Sequence, residues 1–178
     1  MRIIEQVSED LPNFPDDVID QWIGYYAESE GWPPPSPLEG RWKGLLANKD
    51  LEYWTSLKWS KEIIYPPSLV LTTQCNRRIQ EMISFHAAGV PCAYSEFMGE
   101  EAGPRIARLL QYLREIGNLP CAPILVEKDG EHEIIDGNHR VVAYLLWEQW
   151  KDKEIFQKEP FPVTLSREIE FWIGRESV

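Results

Sequence analysis

The sequence predicts an α+β fold in which a small mixed sheet with flanking helices follows a helical, tryptophan-rich extension. Apolar residues recur at helical spacing through the first part of the chain, and Asp129-Gly130 separates two short segments typical of paired strands. Further on, a glycine turn at Asp136-Gly137 leads directly into a long apolar run. We therefore predict a mainly helical region, residues 1–88, that packs on a domain formed by residues 89–178.

The composition is that of a globular protein. The chain has 178 residues, of which 43% are hydrophobic, enough for one domain or a compact domain with an extension. No apolar run approaches the roughly 18–20 residues that span a bilayer, and the start, MRIIEQVSEDLP, lacks the features of a signal peptide. We expect a cytoplasmic protein without membrane contact. Because Cys75, Cys92 and Cys121 are odd in number and far apart, we expect buried free thiols rather than a disulfide framework or a zinc site.

The charge distribution argues against stable DNA binding. The formal net charge is −11, and nine acids with one base fall within the first forty residues. An acidic protein repels duplex DNA unless its basic residues cluster, and no Lys/Arg run or basic stripe is present. This distribution of charged residues is still compatible with a local basic pocket.

The first sixty residues read as helices rich in tryptophan. Pro15-Asp16-Asp17 opens a helix that Gly31 ends, and Leu38 to Trp59 forms one or two more, with Asp50 as a cap. Five of the eight tryptophans lie in this part of the chain. We interpret them as core that packs against the rest of the protein. The alternative is a surface on which a protein partner docks.

The middle of the chain alternates between strand and helix patterns. We predict strands at Lys61–Tyr65 and Val90–Phe97, and helices at Thr73–His86 and Arg105–Ile116. His86 lies on the apolar side of its helix, so we interpret it as a hydrogen-bonded core histidine rather than a ligand.

Asp129-Gly130 predicts a two-residue hairpin turn between Pro123–Lys128 and Glu131–Ile135. This turn fixes the register of the two strands, and the pairs it creates are complementary in charge or apolar. The predicted pairs are Lys128 with Glu131, Glu127 with His132, and Leu125 with Ile134. His132 is therefore expected to be a cross-strand partner and not a catalytic residue.

After the hairpin we predict a buried helix through Val141–Trp150, capped by Asn138. Pro160–Leu165 is predicted to be a last strand at a sheet edge, because prolines are tolerated there. Ser166 is expected to cap a short terminal helix. The apolar residues of that helix are Ile169, Trp172 and Ile173.

A strand that ends in a glycine turn and leads at once into a helix directs free backbone N–H groups at one point, where the helix dipole is positive. Gly137 lets an anion approach the backbone, Arg140 can donate two hydrogen bonds to a phosphate, and His139 can donate another or move a proton. The alternative is that Arg140 pairs with Asp136 and that His139 only caps the helix.

The residues Asp136, Gly137, Asn138, His139 and Arg140 match the D-G-x-H-R motif, and the order of elements from Val90 to Gly174 resembles the ParB/sulfiredoxin-like superfamily. The resemblance implies that this motif is a phosphate-binding turn. Members of the superfamily differ in chemistry: they include sulfiredoxins, nucleotide-hydrolysing partition proteins, a free-serine kinase and nucleases.

Differences between this sequence and the members of the superfamily reduce the number of activities that the resemblance implies. Asn138 stands where sulfiredoxins have their reactive cysteine, which excludes sulfinic-acid repair, and the Arg-rich box and helix-turn-helix of partition proteins are not evident. The free-serine kinase type is the most similar, since it has a D-G-H-H-R turn and an acid before the first helix. Glu100 and Glu101 occupy that place here, as a general base or a Mg²⁺ ligand. Their alternative role is charge complementarity with the helix N-terminus.

Three functions are compatible with these residues. The first is an enzyme that binds ATP, ADP or a related nucleotide on Gly137 to Arg140 and transfers a phosphoryl group to water or a small hydroxyl compound. His139 and Arg140 would stabilise charge, and Mg²⁺ would be held by the nucleotide and by Glu100, Glu101 or Asp136. The second is a protein-binding or regulatory module that uses the Trp-rich half. The third is a metal-dependent nuclease using Asp136, His139 and Glu133, which the net charge makes least favourable.

Overall fold

The computed structural model describes residues 3–151 and 164–176, and it confirms the α+β class. A four-stranded mixed sheet is ordered β1-β4-β2-β3. The pair β2 and β4 is parallel, whereas β1 with β4 and β2 with β3 are antiparallel. The strands are β1 (Leu57–Ile64), β2 (Ile124–Lys128), β3 (Glu131–Asp136) and β4 (Ile169–Glu176).

The helices surround this sheet. In chain order they are α1 (Ile3–Asp10), α2 (Asp16–Val18) continuing through a π-helical stretch (Ile19–Ile23) into α3 (Gly24–Glu30), α4 (Gly40–Leu45), α5 (Leu51–Ser56), α6 (Thr73–Ala88), α7 (Ala93–Met98), α8 (Ala102–Ile116) and α9 (Asn138–Trp150). Short 3₁₀ turns lie at Pro66–Ser68 and Gly99–Glu101. The Asp50 carboxylate accepts a hydrogen bond from Tyr53 N at 2.8 Å, so the predicted cap of α5 is confirmed. Within the described residues, no helix has both the length and the apolar character needed to cross a membrane.

The predicted hairpin is confirmed in turn and register. Asp129 and Gly130 have φ values of 55° and 81°, as a two-residue primed turn requires. The paired residues are Lys128 with Glu131, Glu127 with His132, and Leu125 with Ile134. His132 Nε2 lies 3.7 Å from Glu127 Oε2, which fits a cross-strand role.

Both faces of the sheet are covered, because apolar residues of each central strand alternate between two cores. One core contains Leu125 and Phe171 and is closed by α6, α8 and α9. The other contains Ile124 and Val126 and is closed by the N-terminal helices. The sheet is therefore the middle layer of three.

The two predicted domains share this sheet. Strand β1 lies within residues 1–88, yet all eight of its residues pair with β4 near the end of the chain. Helix α6 also precedes residue 89, and its Ile79 and Met82 belong to the same core as α9. The structure does not divide at residue 88 into separate units.

Four of the five N-terminal tryptophans are buried, and Trp59 is partly buried against the same core. Trp22 and Trp54 pack edge to face with ring centroids 4.9 Å apart. These tryptophans form the second core, as the first interpretation held. They do not form the exposed docking surface that a partner would need. The buried four are Trp22, Trp32, Trp42 and Trp54.

Two predicted elements are wrong, and a third lies mostly outside the described residues. The strand predicted at Val90–Phe97 is wrong: Ala93–Met98 is helix α7, and Ser95 Oγ accepts a hydrogen bond from Cys92 N at 2.9 Å at its start. The helix predicted after Ser166 is wrong, because that segment is β4. Of the strand predicted at Pro160–Leu165, residues 160–163 lie outside the described residues, and Thr164 and Leu165 are not in a strand.

The error at β4 has a clear physical cause. Ile169 and Ile173 are spaced for one face of a helix, but Ile169, Phe171 and Ile173 are equally spaced for one face of a strand. Pairing decides between the two, since β4 is bonded on one side to β1 and on the other to β2. Both partners are distant in the sequence, so local periodicity does not reveal them.

The predicted free thiols are confirmed for all three cysteines, but their burial differs. Cys75 is buried, Cys92 is intermediate and Cys121 is exposed.

Candidate functional site

The junction between β3 and α9 has the strand–glycine–helix geometry that the sequence predicts. Strand β3 ends at Asp136, Gly137 has a φ of 93°, and α9 begins at Asn138. A Cβ atom at Gly137 would lie 2.9 Å from both Pro123 Cβ and Arg140 Nε, so only glycine fits here. The cap differs from expectation: Gly137 is the N-cap residue, no side chain caps the helix, and Asn138 is its first residue.

The Arg140 side chain is occupied by groups of the protein itself. It is only 9% exposed, and its Nη2 forms an ion pair with Asp136 Oδ2. Its Nη1 donates to Cys121 O at 3.1 Å, Ala122 O at 3.2 Å and Gln21 Oε1 at 3.3 Å. The pairing of Arg140 with Asp136 is the alternative considered for the sequence. The prediction that Arg140 donates two hydrogen bonds to a phosphate does not fit this geometry.

A cavity of about 700 Å³, which we call the first cavity, lies in front of the junction. Its volume is within the range of small-molecule and cofactor sites. All five motif residues, Asp136 to Arg140, line it, whereas Glu100 and Glu101 do not. The wall opposite the motif comes from α3, α7 and α8. The side chains of that wall include Tyr26, Phe97, Met98, Arg105, Arg108 and Tyr112.

Arg105 is a site residue that our sequence reading did not single out. It lies on α8, is exposed, and has no hydrogen-bond or ion-pair partner among the described residues. Its neighbour in the cavity wall, Arg108, lies 3.6 Å from Glu101 in a well-exposed pair. The two arginines are three residues apart on one helix. That spacing is a detectable signal, since residues i and i+3 share a helix face.

His139 is neutral at pH 7. Burial lowers its pKa from 6.5 to about 4, and the positive charges of Arg105 and Arg140, with nearby His86, act in the same direction. Its ring packs edge to face against Tyr94 with centroids 5.3 Å apart. Its Nε2 atom is buried and has no hydrogen-bond partner in the described part of the chain. The imidazole therefore carries no charge at pH 7.

We expect the pKa of His139 to be visible both directly and in stability. The carbon-bound ring protons of His139 should titrate in NMR with a midpoint near 4. The folded pKa is below the unfolded value, so the stabilisation is complete above about pH 6.5 and is lost as the pH falls toward 4. The pH dependence of the unfolding free energy over this window should be shallower in His139→Gln. A midpoint near 6.5 for His139 would contradict the burial described here.

The predicted general bases do not join the motif. Glu100 and Glu101 lie in the 3₁₀ turn before α8, both are exposed, and neither lines the first cavity. Glu101 pairs with Arg108, which is the charge-complementary role considered as the alternative. Neither carboxylate is positioned to act on a group held at the motif.

The described residues do not fit a magnesium ion held by the protein. Within residues 3–151 and 164–176, no three His, Cys, Asp or Glu side chains lie close enough together to bind a metal. Asp136 is engaged by Arg140, and the nuclease trio Asp136, His139 and Glu133 forms no such group.

Fold and cavity together define an α+β protein with a cationic pocket at the N-terminus of a buried helix. Comparison with protein-family models, with curated proteins and with solved structures finds no match to this chain. The function is therefore inferred from the geometry of the site.

Proposed function

We propose that this chain is a ParB/sulfiredoxin-like nucleotide-binding protein that holds the phosphates of ATP, ADP or a related nucleotide in the first cavity. The observation that carries the proposal is the position of Arg105. Its guanidinium has no partner among the described residues, and it lines the same cavity as the strand–glycine–helix junction.

The local structure around the D-G-N-H-R motif supports the proposal of a ParB/sulfiredoxin-like protein. The β2–β3 hairpin leads through Asp136 and Gly137 into α9, so D-G-N-H-R occupies a strand–turn–helix junction beside a cavity. Two other elements of the resemblance differ, since α7 replaces a strand and β4 replaces a terminal helix. The proposal therefore depends on the junction and not on the full order of elements.

The electrostatics of the first cavity suit an anion. Its charged lining residues are three arginines and one aspartate, in a protein whose net charge is −11. The first hydrogen bond of α9 runs from Val141 N to Gly137 O at 3.0 Å, so the amides of residues 138–140 precede the helical ladder. Those amides and the helix dipole favour phosphate oxygens at this end of α9.

The roles of the arginines change from the sequence-based hypothesis. Arg105 takes over direct phosphate binding, because its guanidinium has no hydrogen-bond or ion-pair partner among the described residues and its fork of donors matches phosphate oxygens. Arg140 becomes the residue that holds the turn in shape. Its contacts join α9, residues 121–122 and Gln21, which belong to three separate segments of the chain.

We further propose phosphoryl transfer to water or a small hydroxyl compound as the reaction class. His139 is the candidate that accepts the hydroxyl proton, in place of Glu100 and Glu101. Its low pKa makes it a weak base in the free protein. Phosphate charge beside it offsets the field of Arg105 and raises its pKa toward the range in which an imidazole works as a base.

Calorimetry with ATP, ADP, GTP and CTP tests the binding site. We expect Arg105→Ala to reduce the affinity for the tightest-binding nucleotide by at least tenfold, which corresponds to about 1.4 kcal/mol of binding free energy. Arg114→Ala is the matched control, because it removes the same charge from the same helix and does not line the first cavity. We expect its affinity to stay within about twofold of the wild type. The absence of binding for all four nucleotides, or equal losses in the two variants, would overturn the proposed function.

A further inference from the structure

The two edges of the sheet differ in how the rest of the chain covers them. At the β3 edge, His132 N donates to Val70 O at 2.7 Å and Thr72 N donates to His132 O at 3.0 Å, so a neighbouring segment occupies that edge. The other edge is β1, whose pairing partner among the described residues is β4 alone. An uncovered edge strand is a template for pairing with a further chain.

Hydrogen bonds inside the sheet show which backbone groups of β1 point outward. Trp172 N donates to Pro123 O at 2.9 Å, so Trp172 faces β2 and its neighbour Ile173 faces β1. Ile173 pairs with Ser60, and the direction of the backbone groups alternates along a strand. Three residues of β1 therefore point their N–H and C=O groups away from β4, without a backbone partner in residues 3–151 and 164–176: Trp59, Lys61 and Ile63.

The side chain of Asn13 marks one end of this open segment. Its Nδ2 donates to Leu57 O at 2.8 Å, and Leu57 N donates to Trp54 O at the end of α5. Both backbone groups of Leu57 are therefore occupied. Near the other end, Ile63 is 67% exposed, although isoleucine is among the residues most often buried. The open edge thus extends from residue 58 to residue 63.

The charged residues of the open edge are arranged symmetrically about Ser60. Lys58 is exposed, lies opposite Arg175 of β4 and has no ion-pair partner in the described part of the chain. Glu62 shares Arg175 with Glu127, so this group of three carries one negative charge in excess. Lys58 and Glu62 face the same side of the sheet. An antiparallel second copy with Ser60 opposite Ser60 brings each Lys58 opposite a Glu62.

Other antiparallel registers are less favourable. A register centred on Lys61 places this lysine opposite itself, and one centred on Glu62 does the same with the carboxylate; like charges directly opposite each other are destabilising. A register centred on Trp59 brings Lys61 opposite Leu57, whose backbone groups are already occupied. In the register centred on Ser60, Trp59 and the partner's Lys61 can exchange backbone hydrogen bonds on both sides of the two-fold axis.

We propose that two copies of this chain associate through β1, which pairs antiparallel with itself about a two-fold axis at Ser60 and joins the two sheets into one. The partner is a second copy because the residue that lacks an opposite charge and the residue that supplies it lie on the same strand. Such an interface is isologous, so each contact occurs twice. The junction at Gly137 follows β3, at the opposite edge of the sheet, and the dimer leaves it uncovered.

Sedimentation velocity of the full chain over a wide range of concentrations tests the dimer. We expect the wild type to reach twice the 20.7 kDa mass of the chain. Lys58→Glu should raise the dissociation constant by about tenfold or more, because glutamates then oppose each other at two symmetric positions. The variant should still fold, since its new carboxylate lies opposite Arg175. Lys43→Glu makes the same charge change on α4 and should stay within about twofold of the wild type.

Two further variants test the pairing itself. Lys58→Glu combined with Glu62→Lys exchanges the two charges and should restore the dimer. Lys61→Pro removes a backbone donor that points away from β4, so it should abolish pairing while urea unfolding shows an intact fold. Cross-linking tests the register: opposite residues of a non-hydrogen-bonded pair have Cα atoms about 4.5 Å apart, within the range for a disulfide. Ser60→Cys should therefore form dimers under mild oxidation, whereas the exposed control Ser68→Cys should not exceed the wild type.

A wild type that stays monomeric at every concentration would overturn the proposal. A dimer that persists unchanged in both Lys58→Glu and Lys61→Pro would do the same, because another surface would then hold the two copies together. Equal cross-linking of Ser60→Cys and Ser68→Cys would rule out the pairing centred on Ser60.

Discussion

Arg140→Ala is expected to lower the free energy of unfolding by about 3 kcal/mol or more, because removing one partner of a buried ion pair leaves the other uncompensated. The Arg140 side chain is 10% exposed and the Asp136 side chain 31% exposed, so the lower end of the range for buried pairs applies. The variant also removes the donors of Cys121 O and Ala122 O. The Asp136 carboxylate and Cys121 O lose the hydrogen bonds that Arg140 donates, whereas Ala122 O keeps the one donated by Gln21 Nε2 at 2.9 Å.

Urea or guanidinium unfolding measures this loss. Arg77→Ala is the matched control: its ion pair with Glu81 is 3.7 Å long, and its side chain is 75% exposed. Exposed pairs are worth about 0–1 kcal/mol, so we expect a change of that size. Arg140→Lys should fall between the two, because lysine keeps the charge beside Asp136 but lacks the planar fork. An Arg140→Ala protein as stable as Arg77→Ala would refute the structural role of Arg140.

Trp54→Ala is expected to destabilise the protein by about 3–5 kcal/mol, the range for truncation of a buried large aromatic residue. Trp54 is fully buried and packs edge to face against Trp22 at 4.9 Å and Phe14 at 6.3 Å. Removing it opens a cavity beneath the sheet and takes away the partner of two aromatic rings.

The same denaturation experiment distinguishes core from surface. Phe97→Ala is the control, since Phe97 is 88% exposed, and we expect its stability to change by less than about 0.5 kcal/mol. Trp54→Phe should lose less than Trp54→Ala, because the indole Nε1 has no partner among the described residues and a ring is retained. A stable Trp54→Ala protein would contradict the packing described here.

This second result also bears on the partner hypothesis. Loss of a protein complex in a tryptophan variant would be expected from unfolding alone, because the N-terminal tryptophans form a core. A partner surface on this half of the chain has to use exposed residues such as Tyr25, which is 66% exposed. Substitutions at such exposed positions can reduce partner binding without unfolding the protein, so they test the partner hypothesis.

The elements predicted well from the sequence are those decided by local physics. Asp129 and Gly130 adopt positive φ angles in a primed turn, and that turn sets the register of β2 and β3 without help from the rest of the chain. The junction at Gly137 was predictable for the same reason. A strand pattern, a glycine and a continuous apolar run follow one another within a few residues.

The candidate site was only half predictable. The motif residues Asp136 to Arg140 do line a cavity, as expected of a phosphate-binding turn. Arg105 was missed, because α8 meets the motif only after folding. Glu100 and Glu101 were included because they precede a helix, and their position along the chain says nothing about which cavity they reach.

The sequence by itself determined the α+β class, the hairpin, the glycine junction and the acidic character of the chain, since each depends on neighbouring residues or on composition. Tertiary structure alone decided that residues 169–176 form an inner strand, because the pairing partners of that strand lie far away in the chain. It also decided that Arg140 is paired with groups around the turn, while Arg105 has no hydrogen-bond or ion-pair partner within residues 3–151 and 164–176. A guanidinium binds whichever acceptors surround it, and these come from segments that only the fold brings together.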